Sequence, residues 1–165
     1  MALKFFLCVL ATALVILVTA ESSTAQFDDL TWETDANLQA PPPGDWLHWR
    51  RTLDGWGYSP LDQITTDNVG ALRMVWTRGL GPGSQQGTPL AYGGVLYMPN
   101  PRDVIQAIDA TTGDLKWEHR RAVPERVGAQ GLVTNNRNIV IYDRLIIDTS
   151  IDDHVFALDA ESGDM

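Results

Sequence analysis

The sequence has very little cysteine and far fewer basic than acidic residues. Cys8 is the single cysteine among 165 residues, so the chain cannot form an internal disulfide or a zinc site built from several cysteines. Lysine and arginine number 12 against 21 aspartate and glutamate residues, which gives a formal net charge of −9 at pH 7. This balance argues against nucleic-acid binding, because such a chain cannot neutralise a run of phosphates.

Long apolar runs are also scarce, and the one at the N-terminus is short for a membrane span. It extends from Phe5 to Val18 after a single positive charge at Lys4. As a helix it would measure about 21 Å, against a hydrocarbon core of roughly 30 Å. Small residues follow at Val18-Thr19-Ala20, where a signal peptidase would cleave. We therefore predict a secretory signal peptide over residues 1–20, with an uncleaved anchor as the alternative.

Removal of residues 1–20 would leave an exported protein without cysteine and without an integral membrane span. Its stability would then come from packing, metal or ligand rather than from disulfides. Residues 21–44 are polar and end in Pro41-Pro42-Pro43-Gly44. We predict that they form an irregular leader before a domain that starts near Asp45.

The rest of the chain has the composition of a turn-rich β protein, with 6 Trp, 14 Gly and 9 Pro in the whole sequence. Asp67–Leu72 is typical of a short capped helical turn, and Gly93-Gly94 is typical of a two-residue hairpin. The predicted strands are Arg73–Thr77, Thr88–Tyr92, Val95–Met98, Val104–Asp109, the strand that carries Leu115–Trp117, Ile139–Tyr142, Arg144–Thr149 and Val155–Asp159.

A repeat with a period near 50 residues is the most informative pattern. The segment VIQAIDATTGD at 104–114 recurs as HVFALDAESGD at 154–164. The pairs that keep one register are Ala107 and Ala157, Asp109 and Asp159, and Gly113 and Gly163. This period, with several short strands in each unit, is typical of a β-propeller blade or a related β array.

Each unit has a clear physical logic. Apolar and polar residues alternate as in a half-buried strand, Asp109 can accept hydrogen bonds from the turn backbone, and Gly113 supplies a position with positive φ. Trp117 follows, with an indole large enough to fill the wedge between neighbouring blades.

The pattern Ala107-x-Asp109-x-x-Thr112-Gly113-x-x-x-Trp117 resembles the tryptophan-docking motif of the quinoprotein alcohol dehydrogenases, which use pyrroloquinoline quinone (PQQ). Further stretches are similar to the N-terminal part and the first blade of that family: Tyr58–Ile64 with Asn68, Val69 and Leu72, then Gly87–Leu90 and Gly94–Tyr97. The resemblance covers about Asp45 to the last residue. It implies an all-β propeller, eight-bladed in the full-length family, of which this chain would supply roughly two blades.

The resemblance also implies a cofactor site. The acidic residue of the family falls on Gln86, the basic residue after an asparagine falls on Arg137, and the threonine at the end of a second-blade strand falls on Thr149. We therefore predict that these three residues bind PQQ, and that Arg137 binds the carboxylates of PQQ. Alternatively, Arg137 is a solvated loop residue and Thr149 an ordinary strand residue.

Two departures from the family pattern concern this site. An amide at Gln86 carries no charge, and the adjacent cysteines that many members form into a disulfide are replaced at about Gly131-Leu132. No catalytic or metal-ligating residue is predicted within the chain. The three histidines lack metal spacing, and Asp152-Asp153 is interpreted as a turn.

The second repeat ends at Met165, before the position that corresponds to Trp117. We therefore expect an N-terminal part of a longer periplasmic enzyme, inactive by itself, truncated inside its second motif over residues 45–165. The resemblance implies that the parent oxidises a small alcohol by hydride transfer to PQQ beside calcium or a lanthanide ion, with cytochrome c as electron acceptor. A non-catalytic propeller that scaffolds the cell envelope and a sugar-oxidising quinoprotein are the alternatives.

Overall fold

The structure is a computed structural model that describes Trp32, residues 34–128 and residues 137–165. The predicted signal peptide, most of the leader before Thr34, and positions 131, 132 and 136 lie outside the described residues. No helix in the described part of the chain is long and apolar enough to cross a membrane.

Helices are short in the described residues. Helix α1 (Asp35–Gln39) lies in the predicted irregular leader and begins where the Thr34 side chain accepts a hydrogen bond from the Asn37 amide. The helical turn expected at 67–72 is a single 3₁₀ turn, Val69–Ala71. Helix α2 (Glu125–Gly128) follows the first sheet.

The first sheet contains four antiparallel strands in sequence order: β1 (Leu90–Tyr92), β2 (Val95–Asn100), β3 (Val104–Asp109) and β4 (Leu115–Arg120). Strands β1 and β2 join through Gly93 and Gly94, which have φ values of 54° and 79°, as the predicted hairpin requires. Strand β3 pairs on both edges and is buried along its whole length, so it is not the half-buried strand that the alternation predicts.

The second sheet repeats this order with three antiparallel strands: β5 (Val140–Tyr142), β6 (Leu145–Thr149) and β7 (Val155–Asp159). Six of the eight predicted strands overlap these elements within two residues at each end, and Val104–Asp109 and Val155–Asp159 have the predicted bounds. The strand predicted from Leu115 runs on to Arg120.

The repeated aspartates organise two equivalent turns. Asp109 Oδ1 accepts hydrogen bonds from the amides two and three residues later, at 2.8 and 3.0 Å. Asp159 Oδ1 accepts the corresponding two hydrogen bonds at 2.9 and 3.0 Å. The glycine that ends each turn has a φ of 78° in the first repeat and 75° in the second. The sequence repeat is therefore a repeat of turn geometry.

Trp117 fastens the first sheet to the turn of the second. Its indole Nε1 donates to the Ala160 carbonyl oxygen at 2.9 Å, and the ring lies flat against Gly163. A Cβ atom at Gly163 would fall 2.7 Å from the ring, so only glycine fits without a shift. This is the contact between blades that the indole was expected to make.

Trp76 makes the same contact one unit earlier. Its Nε1 donates to Ala110 O at 2.9 Å, and a Cβ at Gly113 would fall 2.7 Å from its ring. The prediction of a strand at Arg73–Thr77 is nevertheless wrong, since no strand is formed there. The segment pairs with no strand of the described chain, and Met74 and Val75 are more than 80% exposed.

The hydrophobic core lies between the two sheets and beneath the segment that precedes β1. A backbone bridge from Trp46 to Ala91 ties that segment to β1. The buried core residues are Leu47, Leu90, Tyr92, Val95, Tyr97, Ile105, Ala107, Trp117, Ile139, Ile141, Ile146, Phe156, Leu158 and Ala160.

Candidate functional site

Two of the three predicted site residues precede the first strands of the two sheets. Gln86 lies four residues before β1, and Arg137 lies three residues before β5. Thr149 ends β6, which runs antiparallel to β5, so it lies at the end of the second sheet where β5 begins. The pairing of Val140 with Ile147 ends the β5–β6 ladder two residues before Thr149.

Gln86 and Arg137 are in direct contact although 51 residues separate them. Arg137 Nε donates to Gln86 Oε1 at 3.1 Å, and the Thr88 amide donates to the Arg137 carbonyl at 2.8 Å. Among the described residues, Arg137 forms no ion pair, and its two terminal nitrogens donate no hydrogen bond. The exposed guanidinium therefore presents an unneutralised charge and free donors beside a neutral amide.

Close backbone packing next to Gln86 sets its position. Gly87 approaches β2 so tightly that a Cβ atom would lie 2.5 Å from the Pro99 carbonyl oxygen. Gln85 Nε2 donates to the same oxygen at 2.6 Å. The two contacts hold the chain against the end of β2, and Gln86 projects from that fixed point towards Arg137.

Thr149 is exposed, and its amide donates to the carboxylate of the preceding residue, Asp148, at 2.7 Å. Its hydroxyl forms no hydrogen bond with the part of the chain that the structure describes. Asp148 is only 3% exposed. Burial raises the pKa of its carboxyl to about 7, the hydrogen bond from Thr149 opposes this rise, and the nearby Asp103 carboxylate adds to it.

A buried polar network that was not predicted from the sequence lies close to this site. The Ser150 hydroxyl donates to Asp103, which is 1% exposed, and accepts from Arg121 Nη1 at 2.7 Å. Arg121 also forms a two-pronged ion pair with Asp152 at 2.7 and 3.0 Å. Its hydrogen bonds lower the pKa of Asp152 to about 2. The network joins the end of β4 to the β6–β7 turn.

The structure confirms the interpretation of Asp152-Asp153 as a turn and adds a buried ion pair to it. The pair does lie in a turn between β6 and β7, yet the Asp152 carboxylate is buried against the first sheet. The alternation of apolar residues could not reveal this, because the partner Arg121 lies 31 residues away. In the sequence, the only signals of this ion pair are an arginine just after the first repeat and an acidic turn in the second.

Histidines and acidic groups offer no metal centre in the described part of the chain, which holds no cluster of three or more His, Cys, Asp or Glu side chains suited to a metal ion. His119 has a structural role: its Nδ1 lies 3.0 Å from the Gly163 carbonyl, and its ring stacks on Phe156 at 6.1 Å. His154 is exposed and lies 3.2 Å from Asp152.

Comparison with known proteins gives a matching family model and curated relatives that share its description. Residues 46–165 match the family described as "PQQ: Glucose/ethanol/alcohol dehydrogenase, beta-propeller domain". The dehydrogenase subunit of alcohol dehydrogenase (quinone) from Gluconobacter oxydans (strain 621H) is 35% identical over 93% of this chain and 20% of its own. A 1-butanol dehydrogenase (cytochrome c) from Thauera butanivorans is 31% identical over 73% of this chain and 18% of its own. The chain thus spans about a fifth of the length of these curated relatives.

Solved structures resemble the chain in fold as well as in sequence. A quinohemoprotein alcohol dehydrogenase from Pseudomonas putida HK5 superposes with a TM-score of 0.75 and 29% identity, over 80% of this chain and 20% of its own. A europium-containing methanol dehydrogenase superposes with a TM-score of 0.69 and 27% identity, over 78% of this chain and 23% of its own. These likenesses confirm the predicted all-β propeller fold.

Proposed function

Because the chain belongs to the PQQ-dependent glucose/ethanol/alcohol dehydrogenase family of β-propeller domains, we propose that it forms part of an enzyme that oxidises a small alcohol. We further propose that Gln86, Arg137 and Thr149 help to bind PQQ. The contact between Gln86 and Arg137 carries this proposal, since it brings the starts of two sheets together around a guanidinium that has no ion pair among the described residues.

The residues present suit the carboxylates of PQQ. Nε of Arg137 is held by Gln86, so the plane of the guanidinium is oriented while its terminal nitrogens remain available for a carboxylate. The Thr149 hydroxyl lies at the same end of the second sheet and can donate to a carboxylate or carbonyl oxygen. PQQ, when bound, supplies the quinone that accepts the hydride of the alcohol.

A neutral amide at Gln86 has a specific consequence in this arrangement. A carboxylate there would pair with Arg137 and neutralise it, whereas Gln86 leaves the full positive charge of Arg137 for the ligand. We propose that the metal ion, calcium or a lanthanide, is held by residues other than those described. The europium in the name of one similar methanol dehydrogenase supports a metal of this kind.

Export and electron transfer complete the proposal. Residues 1–20 would direct the protein to the periplasm, and a cytochrome c would accept the electrons, as the name of the butanol dehydrogenase relative suggests. N-terminal sequencing of the mature protein tests the signal: a first residue at position 1 after export would contradict it.

Titration of the purified protein with PQQ, followed by tryptophan fluorescence, tests the site. We expect Arg137→Ala to weaken PQQ binding by about tenfold to 100-fold, because a charge-assisted hydrogen bond is lost. Arg137→Lys should recover part of the loss, since a lysine keeps the charge but not the planar fork.

Arg73→Ala is the matched control, because Arg73 is also exposed and its guanidinium bonds only to the neighbouring Leu72 carbonyl among the described residues. It should bind PQQ as the unchanged protein does. Equal affinity of the Arg137→Ala and Arg73→Ala proteins would remove Arg137 from the site.

A further inference from the structure

A cavity of about 260 Å³ lies at the end of the first sheet that the β2–β3 turn forms, and it shares no lining residue with the proposed PQQ site. The loop at Gly81-Pro82, the β2–β3 turn and the ends of β3 and β4 surround it. Its volume lies just below the range of roughly 300–1,000 Å³ typical of small-molecule sites. The cavity is thus of a size for a molecule of a few heavy atoms.

A relay of hydrogen bonds along the wall has only one possible direction. Glu118 is an acceptor, because hydrogen bonds from Gln106 and then from Arg120 lower its pKa and keep it ionised. Gln106 must therefore turn its NH₂ group to Glu118, at 2.6 Å, and its oxygen to Asn100. Asn100 in turn donates through Nδ2 to Gln106 at 3.3 Å and to the Met98 carbonyl at 3.1 Å.

This direction leaves one buried acceptor without a donor. Asn100 is 3% exposed and lines the cavity, and no described residue donates a hydrogen bond to its Oδ1. Rotation of either amide by 180° would place two donors or two acceptors opposite each other in the relay. Since buried polar atoms are nearly always paired with protein or ordered water, Oδ1 requires a donor from whatever molecule occupies the cavity.

One of the arginines that line the cavity also has no partner among the described residues. Of its three arginines, Arg120 is paired with Glu118 at 2.7 Å and Arg121 with Asp152 at 2.7 Å. Arg102 is exposed on the β2–β3 turn and makes no ion pair or hydrogen bond within residues 34–128 and 137–165. The lining therefore carries a net positive charge in a protein that is acidic overall.

We propose that this cavity binds a small hydroxycarboxylate, with the ligand hydroxyl donating to Asn100 Oδ1 and the carboxylate facing Arg102. A donor and an anion in one small molecule satisfy both unpaired groups. The site is distinct from the residues that the PQQ proposal uses, so each stands or falls by itself.

Titration of the ¹⁵N-labelled protein, followed by amide chemical shifts, tests the proposal with lactate and 3-hydroxybutyrate as probes. We expect at least one of them to give saturable shifts at Val104, Gln106 and Arg121. Propionate, which lacks the hydroxyl, and propane-1,2-diol, which lacks the charge, should each bind about tenfold more weakly or worse. The propionate comparison tests Asn100 without mutation of a buried residue.

Arg102→Gln tests the anion contact at an exposed position and keeps an L side chain at a φ of 67°. It should weaken binding of the hydroxycarboxylate by about tenfold or more and leave the diol unaffected. Arg126→Gln, at an exposed arginine of α2 outside the cavity, should change neither. No saturable shift with either hydroxycarboxylate, equal binding of propionate, or an Arg102→Gln protein that binds as before would each overturn the proposal, and the cavity would then hold water only.

Discussion

Replacement of Asp148 by asparagine should make the protein more stable above neutral pH. Asp148 is buried, and its carboxylate accepts the amide hydrogen of Thr149 at 2.7 Å. An asparagine oxygen can accept that hydrogen bond, so Asp148→Asn preserves the local contact while it removes the ionisable proton. The variant therefore tests the free-energy cost of ionising this carboxyl inside the protein.

The size of the effect follows from the pKa of Asp148, which burial raises from 3.8 to about 7. The pKa of Asp148 is higher in the folded than in the unfolded protein. Its contribution to the free energy of unfolding is therefore fully present below pH 4 and is lost as the pH rises to 7. One pKa unit corresponds to about 1.4 kcal/mol, so roughly 4 kcal/mol is lost across this window and the loss is constant above it. The stability of Asp148→Asn relative to the unchanged protein should rise by about this amount.

Urea unfolding at half-unit intervals from pH 4 to pH 8.5, read by tryptophan fluorescence, measures this difference. Asp62→Asn serves as the control for loss of one carboxylate at an exposed position. The reasoning fails if the free energies of unfolding of the Asp148→Asn and unchanged proteins run parallel across the window. It also fails if the difference grows towards low pH.

Two further substitutions test the turn geometry and the cofactor site. Gly163→Ala should lower the free energy of unfolding by about 2 kcal/mol or more, because a Cβ would lie 2.7 Å from the Trp117 ring at a φ of 75°. Gly79→Ala, which has open space around it, should cost far less in the same urea titration, and equal losses would contradict the docking geometry. Gln86→Glu should weaken PQQ binding about tenfold, because the new carboxylate would pair with Arg137 and neutralise its charge. Fluorescence titration measures the affinity, and tighter binding of the Gln86→Glu protein would contradict the proposed role of the amide.

Much of the fold could be predicted because its signals are local. The alternation in 104–109 and 155–159 gives strands of the predicted bounds, and the aspartate and glycine of each repeat form the same turn. Arg73–Thr77 has an equally strand-like pattern but forms no strand, since a strand requires a partner and none of the described chain lies beside it. Helix α1 was missed because five residues are too few for a periodic pattern.

The candidate site could be predicted only in part. The family resemblance selected Gln86 and Arg137, and the structure brings them to 3.1 Å. Whether Thr149 joins them at the cofactor stays a prediction. Asp148, directly before Thr149, carries no sign of its raised pKa in the sequence, because burial in the finished sheet causes the shift.

The sequence by itself determined the repeat, its turns, most strand positions and the family, because each of these depends on residues close together in the chain. Tertiary structure alone decided which side chains from different sheets meet. Arg121 reaches Asp152 across 31 residues, and Arg137 reaches Gln86 across 51. Such contacts, and the burial that orients Asn100 and raises the pKa of Asp148, exist only once packing has removed these groups from water.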